Sequence, residues 1–412
     1  MQKTADNEQP NVEAMREWRR HLHQNPELGF DENQTSAYVA ERLKSFGYEV
    51  HRDIGTTGVV ALLRFGDSNS GPRIAFRADM DALPIQEDTG LPWASRNPGV
   101  MHACGHDGHT AMLLGAADLI ARRKAAGELT GDGVLTLVFQ PAEELGGGDS
   151  GARRMIADGL FRDFPVDAIY GIHNGPAMTE GFMAFHDGAA LCASSYAKLT
   201  FKGVASHGAT PHLARDATLP LAATLLAMQS IIAQNVETGR LATIATGTVA
   251  AGTTFNIIPA EAVTELSLRA VDNAMMATIC KRLEEVASAQ AAAFGCTVDV
   301  DIRETNPATV NTPEHKERAM RVARELLGET AVGTAEKVIL ASEDFAHFLK
   351  HVPGAYFVIG NGDGGWADGK PIGPMGVHNP HYDFNDEILP VGAAFWAALA
   401  ADHFARDERA DG

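Results

Sequence analysis

The stretch VLTLVFQPAEE, Val134–Glu144, decides the fold. Its first six residues are apolar and branched or aromatic except for Thr136, a composition that suits a strand buried on both faces. Pro141 ends the ladder, because it has no N–H to donate. Two carboxylates, Glu143 and Glu144, follow directly. Adjacent side chains of an extended segment point to opposite sides. The expectation is therefore that one Glu binds metal while its neighbour faces a water as general base.

Working outward, the same layout recurs. RIAFRA (Arg73–Ala78) runs into Asp79-Met80-Asp81, and DAIYGI (Asp167–Ile172) runs into His173. Three apolar strands thus each deliver an acid or a His at the carboxyl end, the edge where open α/β sheets bind ligands. Between them lies MHACGHDGHT, Met101–Thr110. Cys104 and His106 stand two apart in a turn that Gly105 allows to bend, and thiolate plus imidazole is a good pair for a divalent ion. His102 and His109 stay open between ligand, supporting and structural roles. Ser342-Glu343-Asp344 and HNPHYD (His378–Asp383) add acids and His in glycine-rich surroundings.

Asn11 is placed to cap a helix over Val12–His23, and a second helix is expected over Asn33–Ser45. Strands are expected at Gly58–Phe65, Arg73–Ala78, Val134–Phe139 and Ala168–Ile172, with a helix over Gly108–Arg123. Strands alternating with helices imply an α/β fold with a mostly parallel sheet covered on both faces. The pattern changes near residue 190. Alternating strands at Ser195–Phe201, Thr243–Ala250, Ala262–Val271 and Thr297–Ile302 frame one long helix over Leu219–Val236 and another over Met275–Phe294. That β-α-β-β-α-β order is ferredoxin-like. Helix–strand alternation then resumes, with helices over Pro313–Leu327 and Val391–His403 and a strand at Ala355–Ile359. The expected organisation is a catalytic domain in two parts, 1–189 and 305–412, around an inserted lid or dimerisation domain, 190–304.

Lys plus Arg is 34 and Asp plus Glu is 53, a formal charge of −19. With no basic run, that argues against nucleic-acid and anionic-membrane partners. Four scattered cysteines are too few for a disulfide scaffold. The polar start, MQKTADNEQP, lacks a signal-peptide layout, so a cytoplasmic location is expected.

Taken in order, RRHLHQNPELGFDE, RADMDALPI, MHACGHDGHT, FQPAEE, GIHNGP, SHGATPH, FNIIPAEA, SEDF and HNPHYDFND span nearly the whole chain. Together they resemble the M20 metallopeptidases, in the subgroup of hippurate hydrolase, N-acyl-amino-acid amidohydrolases and auxin-conjugate hydrolases. The resemblance implies a zinc-exopeptidase-like catalytic domain with the inserted ferredoxin-like domain. It implies two divalent metal ions per subunit, Zn2+ or Mn2+ with Co2+ or Ni2+ as alternatives, on Cys104, His106, Glu144, His173 and His378. It makes Glu143 the general base, Asp81 a support of the metal site, and His207 a stabiliser of the developing oxyanion. Asn256 and Arg269 resemble residues that grip the substrate carboxylate. Asp79 stands where other branches carry a metal-binding His and is kept off the ligand list.

The implied reaction cleaves the amide of a small N-acyl amino acid, acetyl or aroyl, to a carboxylic acid and an amino acid, in a homodimer or dimer-based oligomer. N-carbamoyl-amino-acid or dipeptide cleavage on the same scaffold is the alternative. A hydrolase with Cys104 as nucleophile and a non-catalytic binding protein are the rivals from other classes.

Overall fold

The computed structural model describes residues 9–335, 337–367, 370–372 and 375–405. They form two compact units. The first takes the chain up to Ala190, Val310–Lys337 and the chain from His347 onward; the second takes Leu191–Thr309 and Val338–Ala346.

The first unit is built on an eight-stranded sheet. Its order is Glu49–Ile54, Gly58–Phe65, Gly133–Gln140, Arg73–Asp79, Ala168–Pro176, Gly354–Gly362, Met183–His186, Val332–Ala335. The four central strands, from Gly133–Gln140 to Gly354–Gly362, are parallel; antiparallel pairing enters only toward the two sides. All eight residues of Gly133–Gln140 and all nine of Gly354–Gly362 are buried, as strands covered on both faces require. The helix His106–Ala125 is buried nearly all round its first four turns. It packs between the helices Val12–Gln24 and Leu389–Phe404. Asn11 does cap the first of these, accepting from the Ala14 N–H at 3.2 Å. Below the sheet ends, Phe76 stacks on Trp396 at 4.5 Å between centroids.

Register brings the strand ends level. Asp79 lies beside Gln140, Arg77 beside Gly171, and Val358 beside His173. The residues just past these ends therefore share one edge.

The second unit holds an antiparallel sheet in the order Ala242–Ala251, Glu261–Ala270, Ala193–Lys202, Thr297–Asn306. With the helix Asn273–Ala293, which buries Met275, Met276, Ile279, Leu283, Ala287 and Ala291, this is a ferredoxin-like arrangement. Two expectations need correction. The single helix over Leu219–Val236 is two, Thr218–Ala227 and Gln229–Asn235, interrupted at Met228. Val338–Ala346, expected in the catalytic part, groups with the second unit. There the Cys192 N–H bonds to the carbonyls of Ile339 and Ala341, and Arg269 donates to Ser342 Oγ at 2.8 Å. Among the described residues, no helix is long and apolar enough to cross a membrane.

A directional hydrogen-bond chain closes the far side of the first unit. Arg318 can only donate, so it gives its N–H to His403 Nδ1. His403 Nε2–H then donates to the Tyr170 oxygen at 2.9 Å, and the Tyr170 hydroxyl donates to His315 Nδ1 at 2.8 Å. Burial, with Arg318 and His315 beside it, pulls His403 down to about 3. The folded protein keeps His403 neutral where the unfolded chain, below about pH 6.5, protonates it. Stability is therefore lost as pH falls from about 6.5 toward 3, by at most roughly 1.4 kcal/mol per unit. Urea unfolding should show the wild type losing about 2 kcal/mol more than His403→Gln between pH 6 and 4. Parallel profiles would remove this chain as a source of acid sensitivity.

Candidate functional site

Arg77 and Asp79 are both fully buried on one strand. Arg77 donates from Nη1 to Asp79 Oδ2 at 2.7 Å and from Nε to Gln140 Oε1 at 2.8 Å. The other Asp79 oxygen accepts from His109 Nδ1–H at 2.7 Å, and His109 Nε2 accepts the Asn174 N–H at 2.9 Å. Burial opposes the Asp79 charge, but His106, Arg77 and His109 hold its carboxyl well below the usual range. Both His109 nitrogens are engaged, so this ring offers no lone pair to a metal and acts by positioning. Asn174 goes on to donate from Nδ2 to the Cys104 carbonyl at 2.7 Å and accepts the Tyr382 hydroxyl at 2.9 Å. Gly105, at φ +90°, sits under these two groups. A Cβ there would lie 2.4 Å from Asn174 Nδ2 and from the Tyr382 oxygen, so the turn between Cys104 and His106 requires glycine.

His106 opens its helix. Its Nδ1–H points to the Asp81 carbonyl at 2.9 Å and to Asp81 Oδ1 at 3.2 Å. That leaves Nε2 buried without a hydrogen-bond partner, 3.7 Å from Asp79 Oδ2 and 3.9 Å from Glu144 Oε1. Asp81 also accepts the Glu144 N–H, at 2.9 Å. His173 donates its Nδ1–H to the Asn174 carbonyl at 2.7 Å and turns Nε2 toward Cys104 Sγ, 3.4 Å away. His378 Nε2 lies 3.1 Å from Glu144 Oε1. Side-chain S, N or O atoms of Cys104, Glu144 and His378 fall within 4.8 Å of one another, as do those of Asp79, His106, His109 and His173. All five expected ligands thus meet at the strand ends.

One expectation is corrected here. Glu143 and Glu144 do not diverge; their carboxylates and His106 also gather within 4.8 Å. The alternation argument assumes extended backbone, whereas Ala142 has φ +49° and a turn follows it. The two acids leave a turn, not a strand.

The electrostatics describe a pocket short of positive charge. Burial, then Glu144, Glu143 and Asp79, push the Cys104 thiol well up. A thiol held protonated in this way makes a poor nucleophile, which weighs against the cysteine-hydrolase rival. Burial works against a charge on His106, yet Asp79, Asp81 and Glu144 raise it to about 10. The hydrogen bond that His378 donates to Glu144 raises the imidazole above its ordinary value. Protons on these imidazoles balance carboxylates that a divalent cation would balance instead. The donor set of sulfur, imidazole nitrogen and carboxylate oxygen, with the unpartnered His106 Nε2 aimed into it, fits such ions.

The remaining candidates lie in the second unit. His207 is on a short strand paired with Ile257–Ile258, and its Nδ1 accepts the Ala209 N–H at 3.0 Å. The Gly208 N–H bonds to the Asn256 carbonyl at 2.9 Å, which brings His207 and Asn256 to one corner. Arg269 is half-buried on Glu261–Ala270 and donates to a hydroxyl; it has no carboxylate partner among the described residues. Sequence reading misses Arg77, Gln140 and Asn174, whose roles come from cross-strand register, and Tyr382, a loop residue that reaches Asn174. It also misses Glu32, although Glu32 lies within a motif.

A profile described as peptidase family M20/M25/M40 matches residues 75–402. The chain is 39% identical over 382 residues to the hippurate hydrolase of Campylobacter jejuni, covering 93% of this chain and 94% of that one. It is 36% identical over 380 residues to the N-acetyl-L-cysteine deacetylase of Bacillus subtilis, covering 92% and 85%. The crystal structure of Bacillus subtilis YXEP protein, a dinuclear metal binding peptidase from the M20 family, superposes with a TM-score of 0.78 at 29% identity, covering 95% and 97%.

A ligand that binds only the folded state stabilises it by mass action, by about 4 kcal/mol at a thousand times its Kd. Zinc, manganese, cobalt or nickel added to metal-stripped protein should therefore raise its melting temperature by several degrees in calorimetry. Cys104→Ala should lower the bound metal found by elemental analysis. No shift with any of the four ions would remove the cluster as a metal centre.

Proposed function

The chain belongs to peptidase family M20/M25/M40, and from that membership we propose that it hydrolyses the amide bond of N-acyl amino acids at a binuclear metal centre. The observation that carries this is the gathering of one thiol, three imidazoles and two carboxylates, with the buried His106 Nε2 unpartnered. The relatives named hippurate hydrolase and N-acetyl-L-cysteine deacetylase support the substrate class, and the dinuclear neighbour supports the count of two ions.

Cys104, His106, Glu144, His173 and His378 would hold the ions, zinc or manganese. When bound, the ions would polarise the scissile carbonyl and lower the pKa of a water. Glu143 then takes that water's proton as the carbonyl is attacked and passes it to the departing amine. Asp81 fixes the His106 tautomer, so that Nε2 keeps its lone pair. His207 donates to the oxyanion. Arg269, with no acid partner among the described residues, and Asn256 receive the substrate carboxylate, for which a guanidinium fork is suited. The reading includes a cytoplasmic homodimer, with the exposed outer strand Ala242–Ala251 as a contact.

Glu143→Gln should keep its metal content while turnover falls roughly 100- to 10,000-fold. The assay is metal-reconstituted enzyme against aroyl, acetyl, carbamoyl and dipeptide substrates. A fully active Glu143→Gln would show that the base lies elsewhere. Faster cleavage of carbamoyl or dipeptide substrates would reassign the substrate class.

A further inference from the structure

We propose that Glu32 is a positioning residue for the turn that carries Glu143 and Glu144, which it holds through the backbone N–H of Ala142. The proposal rests on the reading of Glu143 as base. Glu32 occupies the N-cap position of the helix Asn33–Ser45, where a carboxylate ordinarily accepts from the first turn. It makes no such bond. Glu27 takes over that role, accepting from the N–H groups of Gln34 at 3.2 Å and Thr35 at 2.8 Å. The fully buried Glu32 side chain turns the other way. Its Oε1 accepts the Ala142 N–H at 2.8 Å, and its Oε2 accepts the Thr57 hydroxyl at 2.5 Å.

Ala142 is the residue that most needs holding. It is fully buried, sits in the left-handed region at φ +49°, and directly precedes Glu143. Its carbonyl is tied as well, by the Gly151 N–H at 3.0 Å. The loop that brings Glu32 in lies against the turn. A Cβ on Gly29 would stand 3.0 Å from Ala142 Cα and Cβ and from Leu145 Cγ. A local rule broken at the cap, with its job covered by a second acid, marks a side chain committed elsewhere. Burial, with Asp81 adding to it, pushes the Glu32 carboxyl up to about 7 against the bonds from Thr57 and Ala142. Asp81 is the charged group that faces it; the Thr57 hydroxyl and the Ala142 amide are neutral.

The test combines hydrogen exchange with kinetics on full-length, metal-loaded enzyme. A misplacement near 1 Å can cost about 100-fold in rate. Glu32→Ala should therefore lower kcat roughly 10- to 100-fold, with KM within about threefold and metal stoichiometry unchanged. Amide exchange across residues 140–146 should rise at least about tenfold, as expected when a local hydrogen bond is lost. Glu32→Gln keeps an oxygen for the Ala142 N–H. It should restore the protection and most of kcat, and flatten the part of the kcat–pH profile near 7. Unchanged exchange in Glu32→Ala overturns the clamp. Raised exchange with unchanged kcat overturns the positioning role. Should Glu32→Ala fail to fold, Thr57→Val replaces it: faster exchange in the same segment with a smaller loss of kcat is expected, and unchanged exchange with unchanged kcat overturns the proposal. Exchange reads the clamp whether or not Glu143 is the base, which Glu143→Gln tests separately.

Discussion

Asp79 is a carboxylate without access to water, so its charge has to be met from within the protein. Arg77 and His109 meet it, one on each oxygen. Leaving such a charge unpaired costs several kcal/mol, about 3–5 when one partner of a buried pair is removed. That penalty makes the geometry around Asp79 stiff. Arg77 also reaches Gln140 and so joins a second strand. His109 reaches the Asn174 amide and so joins a third. The Thr110 hydroxyl donates to the Asp79 carbonyl at 2.8 Å and ties in the helix start. The level of three strand ends and one helix start thus depends on a single buried charge.

The same network decides which imidazoles are free. His106 and His109 are three apart on one helix and face the same way. His109 spends both nitrogens on Asp79 and Asn174. His106 spends only Nδ1, on Asp81, and keeps Nε2 for the cluster. Two rings of one type, one turn apart, therefore take different roles because their second partners differ. The carboxylates that orient these rings also surplus the pocket with negative charge. Burial and then the anionic surround raise the Cys104 thiol, and the same surround raises His106 against its burial. The residues that fix the geometry are thus the ones that create the demand for a cation.

How far this is legible in sequence follows from what carries each signal. Gly133–Gln140 and Gly354–Gly362 read as strands because burial on both faces forces unbroken apolar runs. The second unit reads as ferredoxin-like because alternation and helical spacing follow each other in order. Cys104, His106, Glu144, His173 and His378 are exposed to reading by their chemistry, and Glu144 and His173 also by their place at the carboxyl ends of apolar strands. Gln140 and Asn174 are ordinary polar residues whose work comes from being level with Asp79 and His109, and level is a property of register. Glu143 and Glu144 are misjudged in direction because one residue, Ala142, leaves the extended region. Val338–Ala346 changes unit through backbone bonds to Cys192, which leave no trace in side-chain pattern.

Left-handed backbone at residues other than glycine costs about 1–2 kcal/mol each. Among the described residues it occurs at Phe30, Asp53, Thr56, Ala142, Ala177 and His378. Two of these are in the site itself: His378, an expected ligand, and Ala142, beside the expected base. Each is held at its N–H. His378 donates to the Ala103 carbonyl at 2.7 Å, and Ala142 donates to Glu32 at 2.8 Å. A neutral bond contributes about 0.5–1.5 kcal/mol and one to a charged group about 1.5–3. The Ala103 bond is thus comparable with the strain it opposes, and the Glu32 bond, while the carboxylate is ionised, exceeds it. Thr56 adjoins Thr57, the residue that donates to Glu32, and Phe30 lies two residues before Glu32. Arg154 covers Phe30 at 3.6 Å and donates to Thr56 Oγ1 at 2.9 Å. Three separate loops with unfavourable backbone therefore meet around one buried carboxylate. Strain distributed in this way persists only where surrounding contacts over-determine it, and here those contacts converge on the turn that presents Glu143.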